Sequence, residues 1–310
     1  MGAAGEAGAP PHRGDSIEKE HVMRIIVSTV AGMLALSIMQ GVIGTLWPPA
    51  APPPPANTAL WAIASNLLMA LTLTVFASRA CWHGLRLAAA LFAVAFSIGQ
   101  LSAFIEAVFF DVIPLRDMPT YVPMFTLPLA ACTVTVIATL GVWRKPARAE
   151  MPSPPPTASF LVSRGALAAI LYTCCYFVAG TLVYPDIRDF YASRQLPATG
   201  AVLAMQLLVR GPLLAAALAL LARMLPGSRR LHAAAGAAAM ALFLGVIPLI
   251  IPNPILPDHV RWAHFFEVVP SNFLFGAVAG WLMSAPHAIL PGSAHRSGAR
   301  REEIVHGPAH

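Results

Sequence analysis

Apolar residues fill this chain in eight long runs, each bounded by proline, charge or both: 24–47, 58–78, 87–110, 121–143, 161–184, 198–222, 232–252 and 262–284. A helix needs roughly 20 mostly apolar residues to cross a hydrocarbon core about 30 Å thick, and every run is long enough. The pattern predicts an all-α, polytopic membrane protein with eight transmembrane helices. Composition agrees: 57% of the 310 residues are hydrophobic and 11% charged, too few charges to wet a water-soluble surface of this size.

Lys and Arg distribution predicts the orientation. With both ends inside, fifteen of the twenty fall on the inner side, four (Arg116, Arg188, Arg194, Arg261) fall in outer loops, and the last, Arg210, lies within a span. The expected location is a plasma or bacterial inner membrane with both termini cytoplasmic. The net charge of +6 is then explained by loops at an anionic inner leaflet, and no nucleic-acid partner is implied. The first run is too long for a signal-peptide core and lacks a small-residue cleavage site after it, so it is expected to be retained.

The organisation follows from these spans. Residues 1–23 and 285–310 are expected to be disordered cytoplasmic tails. A Pro-rich cytoplasmic linker, 144–160, separates a four-helix unit, 24–143, from a second, 161–284. Weak matches relate the halves: Ala64-Ser65-Asn66-Leu67-Leu68 falls on Ala204-Met205-Gln206-Leu207-Leu208, and Pro128 on Pro270. If they reflect duplication, four helices per unit makes the repeats parallel; chance matching in an Ala- and Leu-rich chain is the competing explanation. Pro212 and Pro270 each free a carbonyl, those of Leu208 and Phe266, which is expected to face protein or water. Gly276 and Gly280 form a small-xxx-small face that suits a close helix neighbour.

Polar groups inside the spans carry the functional information, because each costs free energy in hydrocarbon. They are Gln40, Asn66, Gln100, Glu106, Gln206, Arg210, His264, Glu267 and Asn272. At about 1.5 Å of rise per residue, Glu106 and Glu267 lie roughly 6 Å below the outer surface, Asn66 and Gln206 roughly 10 to 14 Å, and Arg210 roughly 20 Å. Helical spacing projects His264, Glu267 and Ser271 together, and Gln206 with Arg210. Arg210 is the one permanent cation at depth, and it is expected to reach toward Glu267 or Glu106.

The candidate substrate-binding residues are therefore Arg210, Glu267, His264, Glu106, Gln206 and Asn66. One reading is a polar cavity in the outer half of the bilayer, in a transporter or binder of a small polar or anionic solute, with a carboxylate and His264 exchanging protons. A second is a structural or accessory subunit in which a buried ion pair fixes helix register and nothing more. A third is a membrane-embedded enzyme acting on a lipid or quinone, with His264 and Glu267 as acid-base groups or metal ligands. The sequence does not decide whether the protein is an enzyme. No cofactor or metal is expected: His-x-x-Glu occurs once, the other histidines lie in loops and tails, and no facing histidine pair sits at mid-depth for a haem. Walker, GxSxG and HExxH motifs are absent. Four cysteines, none in an outer loop, make no disulfide framework. The partners expected are the lipid bilayer and a solute; an oligomer is left open.

Overall fold

The computed structural model describes residues 13–47, 55, 57–145, 156–192, 196–252 and 256–284, and among them every element is helical. Eight helices are long and apolar enough to cross a bilayer, compatible with a multi-pass membrane protein: α1 (Arg13–Leu46), α2 (Thr58–Arg79), α3 (Gly84–Phe109), α4 (Leu115–Thr139), α5 (Ala158–Ala192), α6 (Thr199–Met224), α7 (Arg229–Leu249) and α8 (Asp258–Met283). Most bounds agree with the sequence pattern to within a few residues. Two helices overrun it. α1 starts at Arg13, well before the expected span, and α5 continues through Pro185 to Ala192, where an outer loop was expected. A proline inside a helix removes one ladder bond, and near a wet helix end water can replace it. Most of the linker and the whole carboxy-terminal tail lie outside the described residues.

α1 packs along α2 and α4, and α5 packs along α6 and α8. α7 lies against α8, while α3 reaches from the first four helices to α6 and α7, and α2 also touches α7. Leu73, Leu91, Ile98, Leu214, Leu218, Phe243 and Phe275 are fully buried between them. Leu60, Val162 and Leu182 lie exposed on the outer surface, so the bundle is apolar outside as well as in. In lipid such a bundle gains no hydrophobic energy from burying one more leucine; close packing must hold it instead.

Small residues supply that packing. Along the α7–α8 contact, a Cβ on Gly236 would overlap the Gly276 carbonyl oxygen, and one on Gly280 would overlap the His232 carbonyl oxygen. The neighbour that approaches the small-xxx-small face is thus α7, and the two backbones touch. A second close approach joins α6 to α5, where a Cβ on Gly211 would lie 2.7 Å from the Ala169 Cα. At the start of α3, Gly84 has φ +58° and its N–H donates to the Val142 carbonyl at 3.1 Å, a left-handed turn that lets α3 follow the end of α4 closely.

Three helices contain a π-helical turn: Phe96–Leu101 in α3, Gln206–Arg210 in α6 and Met240–Val246 in α7. Each opens with a residue whose neighbours bond five residues back, as Gly211 N–H does to the Gln206 carbonyl. The turns of α3 and α7 meet, with the Phe243 carbonyl oxygen 3.1 Å from where a Cβ of Gly99 would be. The two prolines expected to free carbonyls in α6 and α8 lie at the surface of the bundle. Pro212 and Pro270 are exposed, and so are Leu208 (70%) and Phe266 (71%), four residues before them. In α6 the π turn re-routes the bonds just before Pro212, easing the proline's demand on the ladder locally rather than through a neighbour.

Candidate functional site

The most buried charged side chain among the described residues is Arg210, at the end of the α6 π turn and 2% exposed. Its Nη1 lies 2.9 Å from Glu106 Oε1 and donates to Gln206 Oε1 at 3.2 Å; its Nε donates to Ser102 Oγ at 3.0 Å. Cζ stands 5.5 Å from the ring centroid of Tyr172 on α5, a cation–π distance. Three helices therefore build this group. Ser102 directly follows the π turn of α3 and Glu106 lies one turn further on, so both face α6. The long arginine and glutamate side chains close the gap between a residue mid-way along α6 and one near the end of α3.

The ion pair is lopsided. Arg210 is sealed, while the Glu106 side chain keeps 32% of its surface. A buried cation without a partner would be untenable in a low-dielectric interior, so Glu106 is its electrostatic counterweight, yet the carboxylate still has an open side. Gln206 is fully buried; its oxygen accepts from Arg210, and its Nε2 has no partner among the described residues.

A second group lies beside the first. His264 Nδ1 stands 2.9 Å from Glu267 Oε2, and its Nε2 stands 3.0 Å from the Tyr191 hydroxyl. A carboxylate only accepts, so Nδ1 carries the proton in the neutral ring and Nε2 accepts from Tyr191. The helical extension of α5 past Pro185 is what brings Tyr191 to His264. The Glu267 and His264 side chains are 11% and 20% exposed. Glu267 lies against α5, where a Cβ on Gly180 would be 3.5 Å from Oε1. Tyr172 and Tyr176, one turn apart on α5, are within electrostatic range of Arg210, Glu106 and Glu267 alike, so the two groups share one polar region among α3, α5, α6 and α8.

Of the six candidate residues, five thus gather in that region and one does not. Asn66 on α2 pairs with Gln40 on α1: Asn66 Nδ2 donates to Gln40 Oε1 at 2.8 Å and to Ser37 Oγ at 3.0 Å, and Gln40 Nε2 donates back at 3.4 Å. Depth along the axis places Asn66 near the others, but its azimuth turns it to α1. Of the two expected partners, Arg210 takes Glu106, and Glu267 takes His264. The sequence reading also missed one contributor to the site, Tyr191, and one buried arginine outside it, Arg261. Tyr191 was placed in a loop. Arg261, placed in an outer loop, is only 3% exposed; it donates to the Leu249 carbonyl at 2.7 Å and to Asp258 at 2.8 Å, closing the end of α7. The spacing Asp258-x-x-Arg261 in the first turn of α8 was the available signal. Among the described residues, no group of three or more His, Cys, Asp or Glu side chains is arranged to hold a metal ion.

Compared with protein-family models, with curated proteins and with solved structures, the chain matches none. The site geometry alone therefore carries the functional reading.

Proposed function

We propose that this is a multi-pass membrane protein of the plasma or bacterial inner membrane, both termini cytoplasmic, that binds and transports a small polar or anionic solute at Arg210. The observation that carries the reading is the lopsided ion pair: a sealed guanidinium whose counter-ion keeps an open side. An entering anion can take the place of Glu106 on Arg210, so that the buried charge keeps a counter-ion. The Nε2 of Gln206, without a partner among the described residues, offers one further donor beside Arg210. Tyr191, His264 and Glu267 form a short hydrogen-bonded chain along which a proton can pass. The orientation rests on the excess of Lys and Arg at the opposite end of the bundle.

The two halves read as parallel repeats. In support, α1 packs on α2 and α4 as α5 packs on α6 and α8, and the third helix of each half carries a π turn. An axis along the membrane normal then runs near the meeting of α3 and α7.

The structural reading draws on one observation too: Glu106, Gln206 and Ser102, from α3 and α6, between them engage both Nη1 and Nε of Arg210. Thermal unfolding of the purified protein with acetate, succinate or inorganic phosphate, at pH 5 and pH 7.5, separates the two. Binding predicts that at least one anion raises the midpoint of the wild type and not that of Arg210→Met, and that uptake of that anion into proteoliposomes responds to a proton gradient. Absence of stabilisation by any anion in the wild type, with an unfolding defect in Arg210→Met, leaves the ion pair as a structural lock.

A further inference from the structure

On the other side of α6 from the ion pair lies a groove of about 710 Å³ between α5 and α6, within the usual range of ligand sites. Gly211 of α6 approaches Ala169 of α5 closely, and the wall carries past that contact to Leu207 and Leu208. Its wall includes the small residues Ala166, Ala215, Ala216 and Ala219, with Leu161, Val162 and Leu220 beside them, and Met283 of α8 also contributes. Every lining side chain is apolar except one: Arg223, in the last turn of α6, at the end of the bundle where the basic residues gather. Among the described residues no carboxylate lies within ion-pairing distance of Arg223 or of Arg164, which sits at the same end of α5. Arg223 leans on the Trp82 ring at 5.9 Å, which steadies its guanidinium without neutralising it.

We propose that this groove is a binding site for an anionic phospholipid, with one acyl chain lying between α5 and α6 and the phosphate held by Arg223. The shape and the charge argue for the same occupant. A long slot with no hydrogen-bonding side chain suits an unbranched hydrocarbon chain. Arg223, the one charged side chain in its wall and without a carboxylate partner among the described residues, suits one negative headgroup there, where anionic lipids attract Lys and Arg. A zwitterionic lipid fits the slot equally well but brings its own cation to Arg223. The site is separate from the solute reading, since Arg223 and the groove make no use of Arg210 or Glu106.

The test is lipid retention. Full-length protein is reconstituted in nanodiscs of equal phosphatidylglycerol and phosphatidylcholine, released, and weighed by native mass spectrometry. The wild type is expected to retain one phosphatidylglycerol in preference to phosphatidylcholine. Arg223→Gln is expected to lower that preference about fivefold, the equivalent of one basic residue near a charged headgroup. Arg223→Lys should keep it, and Arg229→Gln, whose guanidinium lies over Trp281, should leave it unchanged. Ala216→Phe, which fills the slot, should remove retained lipid of both kinds. Equal retention of the two lipids by the wild type overturns the proposal without recourse to any variant. An unaltered preference in folded, monodisperse Arg223→Gln overturns it as well. So does a lipid-free dimer cross-linked through Ala216→Cys, which would show that a second copy of the chain covers this face.

Discussion

Replacing Glu106 by Gln removes a charge while keeping the side chain's shape, so it isolates what the carboxylate does for Arg210. Breaking a buried ion pair by removing one partner costs about 3 to 5 kcal/mol, because the other charge is left uncompensated. Here Glu106 is one-third exposed and the amide oxygen of the replacement still accepts from Nη1, so a loss of about 2 kcal/mol is expected. Arg210→Met behaves differently. It leaves Glu106 able to hydrate, and its main cost is an unpaired Gln206 oxygen and a disengaged Ser102, about 1 to 2 kcal/mol. In the double variant the uncompensated cation is gone, so the second substitution adds little to the first. The coupling energy from the four proteins should reach about 1 to 2 kcal/mol, read from unfolding titrations in mixed micelles. If the two single losses simply add, within about 0.5 kcal/mol, the ion pair does not carry the energetics assigned to it.

Other substitutions test other parts of the fold. Gly236→Ala places a methyl group on the Gly276 carbonyl and should lower stability by about 1 to 3 kcal/mol, whereas Gly41→Ala, with nothing within 4 Å of its added carbon, should leave the unfolding midpoint unchanged or raise it; equal effects would contradict the backbone contact of α7 and α8. Arg261→Met strips the donor from the Leu249 carbonyl and should cost about 1 to 3 kcal/mol in the same titration, a penalty not expected of an arginine in a solvated loop. In a cysteine-free background, Asp117→Cys should react with an impermeant maleimide added outside intact cells and Lys145→Cys only after lysis; the reverse labelling would invert the proposed orientation.

The eight helices were legible because hydrocarbon demands long uninterrupted apolar runs, and runs survive in composition alone. The pairing of Arg210 with a glutamate was legible for a related reason: a permanent cation inside a bundle has few tolerable neighbours. Which glutamate was not, since Glu106 and Glu267 lie at similar depth and only the rotation of α3 and α8 about their axes distinguishes them. Asn66 shows the same gap, being level with the site and turned away from it. The π turns left no periodic trace, though Gly99-Gln100, Gly211-Pro212 and Gly245 stand in or beside them. Tyr191 was hidden by Pro185, which reads as a stop in any helical pattern but here is passed through.

The seam between α7 and α8 bears on movement. Where main chain meets main chain there are no rotamers to exchange, so the two helices cannot slide past one another without separating outright. A displacement of α8, which bears His264 and Glu267, therefore takes the touching stretch of α7 along with it.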